Sequence, residues 1–139
     1  MIGKCLCGAI EFETEGKRPN LYQCHCTLCR KQGGSASNSG TIIHQSSFCW
    51  KSGENKITRY RKDTGFSSDF CSICGAPVPN QLRNTDKVWF PAGSLEDDEG
   101  LQIVAHIYTR SRADWDQIPA SGQHFDEMPD IETFYNLLQ

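Results

Sequence analysis

The alternation of hydrophobic and polar residues predicts a chain built mostly from short β-strands. Residues 10–15 alternate apolar and acidic side chains, which is typical of a half-buried strand. The best single strand covers residues 101–108, where Ile103, Ala105 and Ile107 share one face and Val104, His106 and Tyr108 share the other. Further short strands are predicted at residues 41–44, 48–50, 57–60 and 88–90. The sequence therefore predicts a mainly β fold of short strands with little helix.

Helix is expected at two places only. Residues 30–32 fit one helical turn. Near the end of the chain, Asp130 is a suitable N-cap for a helix with one apolar face. That face comprises Ile131, Phe134, Tyr135 and Leu138. We expect it to pack on its own domain, because a chain of 139 residues is usually one domain, here residues 1–139.

Composition and charge narrow the class of protein. The chain is 37% hydrophobic and 22% charged, as an ordinary globular protein is. It contains no apolar run long enough for a transmembrane helix and no charged-then-apolar leader, so we expect a cytoplasmic protein without a membrane partner. The net charge of −3 argues against nucleic acid as the main partner.

Cysteine is the feature that changes this picture most. The eight cysteines stand at positions 5, 7, 24, 26, 29, 49, 71 and 74. Most of them fall in short Cys-x-Cys and Cys-x-x-Cys pairs, which bring sulfur atoms together locally as a metal requires. Stabilising disulfides, in contrast, join distant residues. The spacing therefore favours zinc held by thiolates over a disulfide framework.

Two of the pairs form a natural four-cysteine site. Cys71 and Cys74 are followed by a glycine, which permits the positive φ of a tight metal-binding turn. Cys5 and Cys7 are also followed by a glycine and would complete a closed tetrahedral site. We expect this zinc to be structural. Spacing alone leaves a second pairing open, in which the Cys-x-Cys pair at 24 and 26 joins Cys71 and Cys74.

A second cluster places Cys24, Cys26 and Cys29 within six residues. Three protein ligands leave one tetrahedral position open, which is the arrangement of catalytic zinc. The cluster could equally be closed by a fourth protein ligand. His25 is a poor fourth ligand because it is pinned between two liganding cysteines, and Cys49 stands in an apolar stretch where a buried thiol is the commoner outcome. An open site is expected to lose its metal sooner than a closed one, so the second zinc could be under-occupied.

Four other residues are candidates for a role near the metal sites or in the core. Arg30 and Lys31 directly follow the second cluster and could offset its charge or attract an anionic ligand. His106 is expected to find a hydrogen-bond partner within the sheet rather than to face the metal. Trp115 is expected to pack on the core rather than to wall a pocket.

The cysteine motifs resemble those of the glutathione-dependent formaldehyde-activating enzyme family, also called the centromere-protein-V family. The likeness spans about residues 3–128 and rests on ordered sequence blocks: Cys5-x-Cys7-Gly8-Ala9, Cys24-His25-Cys26-x-x-Cys29-Arg30, Phe70-Cys71-x-x-Cys74-Gly75, Pro91 to Asp97, and Ala105 to Trp115. The resemblance implies a β-tent fold and two zinc ions. It implies that Cys5, Cys7, Cys71 and Cys74 hold a structural zinc, and that Cys24, Cys26 and Cys29 hold a catalytic zinc.

The function that the resemblance implies is a zinc-dependent carbon–sulfur lyase acting on a small thiol adduct. The namesake reaction forms S-(hydroxymethyl)glutathione from glutathione and formaldehyde, so the expected partner is a small thiol such as glutathione. Two other classes stay open on the residues themselves. One is a binding or chaperone-like module with two structural zinc sites, and the other is a thiol redox enzyme that uses its Cys-x-x-Cys pairs. The oligomeric state cannot be predicted from the sequence.

Overall fold

The computed structural model describes every residue from Met1 to Gln139. Its contacts divide the chain into two compact units, each built from separate stretches of sequence. The first unit comprises Met1–Lys17 and Ile42–Glu99, and the second comprises Arg18–Thr41 and Gly100–Gln139. The single domain expected for residues 1–139 stays a prediction.

Twelve short strands and two α-helices make up the regular structure. The strands are β1 (Ile2–Lys4), β2 (Glu11–Thr14), β3 (Leu21–Cys24), β4 (Asn38–His44), β5 (Phe48–Ser52), β6 (Ile57–Arg61), β7 (Ser67–Cys71), β8 (Pro77–Val78), β9 (Asn80–Gln81), β10 (Lys87–Pro91), β11 (Ile103–Ile107) and β12 (Gln123–His124). The helices are α1 (Thr27–Gly33) and α2 (Ile131–Leu138). This confirms the predicted mainly β fold. No helix is long and apolar enough to cross a membrane.

Antiparallel pairing organises the first unit. β1, β2 and β5 form one three-stranded sheet, and β6, β7 and β8 form another. β2 buries Phe12 and Thr14 while its glutamates are half-buried, as the alternating sequence predicts. Gly3 lies opposite Phe12 across β1 and β2, and a Cβ at Gly3 would approach the Phe12 ring to 2.2 Å. Glycine is therefore required where this ring enters the core.

The second unit contains the parallel pairs that the sequence does not predict. β11 runs parallel to both β3 and β12, whereas β3 and β4 are antiparallel. β11 has a strand paired to each of its edges, and residues on both of its faces are buried: Ala105 and Ile107 on one face and His106 on the other. Only the outermost residue of the predicted apolar face, Ile103, is partly exposed.

Helix α2 closes the second unit as expected. Asp130 caps it by accepting a hydrogen bond from the Thr133 backbone N–H over 2.9 Å. Phe134 and Leu138 are fully buried, and the Phe134 ring packs edge-on against Tyr22 with centroids 4.8 Å apart. Ile131 differs from the prediction because it is 63% exposed, so the apolar stripe covers only the later turns of the helix.

Candidate metal centres

Four cysteines of the first unit converge on one point. The sulfur atoms of Cys5, Cys7, Cys71 and Cys74 all lie within 4.8 Å of one another. The Sγ–Sγ distance is 3.6 Å from Cys5 to Cys7 and 3.9 Å from Cys7 to Cys71. Four sulfurs around tetrahedral zinc, with Zn–S near 2.3 Å, lie about 3.8 Å apart. The donor set and its spacing therefore fit zinc, and this pairing of the motifs is the one that the fold brings together.

Local backbone geometry explains why these sulfurs meet. The N–H of Gly8 donates to the Cys5 carbonyl over 2.9 Å, and the N–H of Gly75 donates to the Cys71 carbonyl over 2.8 Å. Gly8 has a φ of 73° and Gly75 a φ of 75°, which other residues adopt only at a cost. Each Cys-containing turn thus ends in a left-handed glycine, and the turns present their thiols to a common centre.

A backbone donor stabilises the thiolate of one cysteine in the first cluster, whereas the neighbouring thiols raise the pKa of another, Cys7, to about 11. The backbone N–H of Ala76 donates to the Cys74 sulfur and, against the effect of partial desolvation, lowers the pKa of Cys74 to about 6. Cys5 and Cys71 are buried, whereas Cys7 is exposed. This cluster is therefore partly buried in the first unit. It joins residues 5–7 to residues 71–74, as a structural metal site would.

The second cluster lies where β3 leads into α1. Cys24 ends β3, Cys26 is the N-cap of α1, and Cys29 stands in the first turn of that helix. The Cys29 backbone N–H donates to the Cys26 sulfur over 3.4 Å, so the thiol occupies the position that an N-cap oxygen usually takes. The three sulfur atoms lie within 4.8 Å of one another.

One negative charge is concentrated within this second cluster. The thiols of Cys24 and Cys29 donate to the Cys26 sulfur, and these bonds, with backbone N–H groups of α1, lower the pKa of Cys26 to about 2. The same interaction raises the pKa of Cys24 to about 12. The neighbouring thiols of Cys24 and Cys26 also raise the pKa of Cys29 above its usual range. No further His, Cys, Asp or Glu side chain joins the three thiols, which gives a donor set that fits zinc with one open position.

His25 is turned away from the thiols that flank it. Its Nδ1 lies 2.7 Å from Oδ2 of Asp116, and its Nε2 lies 3.2 Å from Nδ1 of His106. Both ring nitrogens are therefore engaged, and His25 is no ligand of the cluster. Burial lowers the pKa of His106, and the neighbouring His124 and His25 lower it further. His106 thus finds its partner inside the fold, as expected.

Tyr108 is a residue beside the cluster that sequence reasoning missed. Burial raises the pKa of its hydroxyl, and the neighbouring ionisable thiols of Cys24 and Cys26 raise it further. Its backbone is left-handed, with a φ of 56°, which is uncommon and strained for a tyrosine. Nothing in the sequence marks Tyr108, because the strand pattern simply ends there.

A small cavity of about 200 Å³ opens beside α1. It is lined by Thr27, Arg30, Lys31, Gly34, Ser35 and Trp115. Trp115 is 68% exposed, so the expectation that it packs on the core is wrong. An indole and two cations thus line a cavity next to the three-cysteine cluster.

The model of the glutathione-dependent formaldehyde-activating enzyme family matches residues 1–111. The chain belongs to this family. The match includes every cysteine of both clusters, in keeping with the resemblance of the motifs. No significant match was found among curated proteins.

A solved structure supports the same fold for this family member. A crystal structure of a Rhodobacter sphaeroides protein, determined as a structural-genomics target, is 27% identical to this chain and superposes with a TM-score of 0.58. The alignment covers 69% of this chain and 88% of that one. Family membership links this protein to glutathione and formaldehyde chemistry, and its two cysteine clusters could hold metal ions.

Proposed function

We propose that this protein is a zinc-dependent carbon–sulfur lyase-type enzyme that interconverts a small thiol plus formaldehyde with the S-hydroxymethyl adduct. The observation that carries the proposal is the three-thiol cluster of Cys24, Cys26 and Cys29, which no fourth protein ligand joins. The family supplies the substrate class, since its name joins glutathione with formaldehyde. Cys5, Cys7, Cys71 and Cys74 hold the second, structural zinc in this proposal.

The reaction forms one carbon–sulfur bond. The thiol sulfur attacks the formaldehyde carbon, the carbonyl π electrons move to oxygen, and the proton lost by the thiol ends on that oxygen. Zinc held by Cys24, Cys26 and Cys29 would supply a Lewis acid that lowers the pKa of a substrate thiol. The chain itself must then hold the substrate in place and handle the proton.

Tyr108 is the candidate hydrogen-bond donor for the oxygen that gains charge. A tyrosine hydroxyl is protonated at neutral pH, and burial raises the pKa of Tyr108 further, so this group can donate rather than repel. The strained left-handed backbone at Tyr108 is the kind of feature that active sites retain. We expect Tyr108→Phe to slow the condensation by about a hundred- to a thousand-fold, in line with loss of one such donor.

The free cysteines support an inference about the cellular compartment. All eight cysteines are unpaired, and the proposed sites need their thiolate form. We therefore infer a reducing compartment such as the cytoplasm, where disulfides rarely form.

The test is an exchange experiment. Two-dimensional exchange NMR measures how fast free formaldehyde and its glutathione adduct interconvert at equilibrium, with the zinc-loaded protein added. We expect acceleration by the wild type, its loss in Cys29→Ser, and its retention in Cys49→Ser, because Cys49 belongs to neither cluster. Acceleration that survives Cys29→Ser, or no acceleration by a protein that holds two zinc ions, would overturn the proposal.

A further inference from the structure

A cavity of about 320 Å³ opens within the first unit between two hairpin turns, one joining β6 to β7 and the other joining β9 to β10. This hairpin cavity is lined by Arg61, Lys62, Gly65, Ser67, Gln81 and Arg83. Three of these six residues are cationic and none is acidic, although the chain as a whole carries a net charge of −3. Positive charge is therefore concentrated here against the trend of the protein.

Strand register directs the first side of the cavity. Arg61 lies directly opposite Ser67, and Arg59 lies opposite Asp69. Since residues two apart on a strand share a face, all four side chains lie on one face of the β6–β7 hairpin. Arg61 pairs with the buried Asp69 and donates to the Tyr60 carbonyl over 3.0 Å, so its guanidinium is held in place. Asp69 pairs with both arginines and so balances only one of their two charges.

The other side of the cavity is the turn that carries Arg83. The amide nitrogen of Gln81 fixes this turn by donating to the Thr85 carbonyl over 3.1 Å. One terminal nitrogen of Arg83 lies 4.0 Å from the position that a Cβ would take at Gly65, in the β6–β7 turn. Arg83 therefore reaches from one hairpin turn to the other and closes the cavity.

The remaining donors of the cavity have no partner within the chain. The side chains of Lys62, Ser67 and Arg83 form no hydrogen bond or ion pair. Arginine binds phosphate oxygens through paired N–H groups, and lysine adds a point charge. A phosphomonoester carries nearly two negative charges at neutral pH and three acceptor oxygens, whereas a carboxylate carries one charge. The charge of the cavity therefore favours phosphate.

A larger groove of about 660 Å³ continues from the cavity and shares Arg61, Gln81 and Arg83 with it. This volume falls within the range of about 300–1,000 Å³ that is usual for small-molecule sites. Beyond the arginines and Asp69, the groove is lined by Gln45, Leu82, Asn84, Thr85 and Asp86. Only Leu82 among these is apolar, so the groove suits hydroxyl groups better than an apolar ring. The Asp86 carboxylate would accept from hydroxyls and repel a second phosphate.

We propose that the hairpin cavity and this groove together form a binding site for a sugar phosphate. The phosphate lies between Arg61, Lys62 and Arg83, with the Ser67 hydroxyl as a further donor, and the hydroxyls of the sugar extend along the groove. None of these residues belongs to either cysteine cluster, so the inference is independent of the proposed function.

Isothermal titration calorimetry of the zinc-loaded protein tests the ligand class. The probes are ribose 5-phosphate, glucose 6-phosphate, inorganic phosphate, glucose and citrate. We expect at least one sugar phosphate to bind ten-fold or more tightly than inorganic phosphate, and glucose not to bind. Binding of neither sugar phosphate would overturn the site. Inorganic phosphate or citrate binding as tightly as both sugar phosphates would overturn the assignment to a sugar phosphate.

Variants test the position of the site. Arg83→Gln and Lys62→Gln should each weaken sugar phosphate binding about ten-fold, as loss of a charge-assisted hydrogen bond does. Lys56→Gln is the matched control, because Lys56 precedes β6 in the same unit and lines neither the cavity nor the groove. It should leave the dissociation constant unchanged, and equal weakening in all three variants would overturn a specific site.

A further variant excludes binding of the phosphate to a metal. Cys29→Ser alters the three-cysteine cluster of the second unit and leaves the hairpin cavity intact. We expect it to bind the sugar phosphate as tightly as wild type does, even where it loses the exchange activity of the proposed function. Loss of sugar phosphate binding in Cys29→Ser, with retention in Arg83→Gln, would overturn the site.

Discussion

His25 and Asp116 are 91 positions apart in the sequence, yet the Nδ1 of His25 lies 2.7 Å from Oδ2 of Asp116. A carboxylate only accepts, so His25 donates from Nδ1, while its Nε2 lies 3.2 Å from Nδ1 of His106. The two side chains are 2% and 10% exposed, so the pair is largely shielded from water. This contact anchors the backbone between Cys24 and Cys26, and thereby the spacing of the cluster's thiols.

Removing the Asp116 carboxylate should therefore weaken metal binding at the three-cysteine cluster. Groups that orient a metal site from behind its ligands typically affect affinity about 10–100-fold. We expect Asp116→Asn to lower zinc affinity at this cluster about ten-fold in a chelator competition, with zinc at the four-cysteine cluster unchanged. Asp86→Asn is the matched control, because Asp86 pairs with His44 at 2.8 Å in the first unit. Equal zinc affinity in Asp116→Asn and wild type would show that the pair does not position the thiols.

The four-cysteine cluster should govern stability rather than catalysis. Cys71 is fully buried among hydrophobic residues of the first unit and touches the thiol of Cys7. Structural zinc contributes about 10–16 kcal/mol to folding in model peptides, so its loss is expected to unfold this unit. We expect Cys71→Ser to lose one zinc and to abolish the cooperative thermal transition, or to lower its midpoint by more than about 10 °C. Cys49→Ser should keep both zinc ions and the wild-type midpoint, since Cys49 is exposed.

Helix α2 should contribute to the stability of the second unit only through its buried turns. Phe134 is 1% exposed and packs on Tyr22, so truncation leaves a cavity in the second unit. We expect Phe134→Ala to lower the free energy of unfolding by about 3–4 kcal/mol. Ile131→Ala on the same helix should change it by less than about 0.5 kcal/mol, because Ile131 is largely solvent-exposed. Similar losses in the two variants, measured by urea denaturation, would mean that the burial pattern of α2 is wrong.

Asp69 should be the key acidic residue of the β6–β7 hairpin. Its side chain is 3% exposed and pairs with Arg59 at 3.3 Å and with Arg61. Breaking a buried pair typically costs about 3–5 kcal/mol, but both arginines are about half exposed, so we expect a loss of about 1–3 kcal/mol in Asp69→Asn. Denaturation at low and at high salt checks this, and the loss should persist at high salt because the carboxylate is shielded from solvent. A variant as stable as wild type would contradict the role assigned to Asp69.

Strands were predicted correctly where the sequence shows alternation or an apolar run. They were missed where contacts with other strands determine the structure. Each of the six strand predictions falls on an observed strand, β11 among them. β7 was missed because it begins with three polar residues, Ser67 to Asp69, and lacks alternation. Asp69 is buried because arginines of β6 neutralise it. Helix α1 begins three residues before the predicted turn, since the N-cap is a cysteine rather than one of the usual oxygen-bearing residues.

Site prediction from spacing worked for a related reason. Metal ligands in short motifs are brought together by local turns, so Cys71 and Cys74 could be read directly from the sequence. Residues that contribute to the site from other strands or loops could not be identified in this way. Asp116 reaches His25, Trp115 reaches the cavity beside α1, and Tyr108 lies near the cluster only because β11 runs parallel to β3. A parallel pairing is not encoded in local periodicity, so these neighbours become visible only in the folded chain.

In the proposed function, the cluster of Cys24, Cys26 and Cys29 holds a metal with one position open to a thiol. Cobalt substitution can show whether a thiol enters that position, because the intensity of the sulfur-to-cobalt charge-transfer bands follows the number of bound thiolates. We predict two cobalt ions per chain, with glutathione increasing the charge-transfer intensity of one of them and Cys29→Ser removing that response. Two cobalt ions whose spectrum does not change with glutathione would contradict an open site and favour a protein with two structural metals.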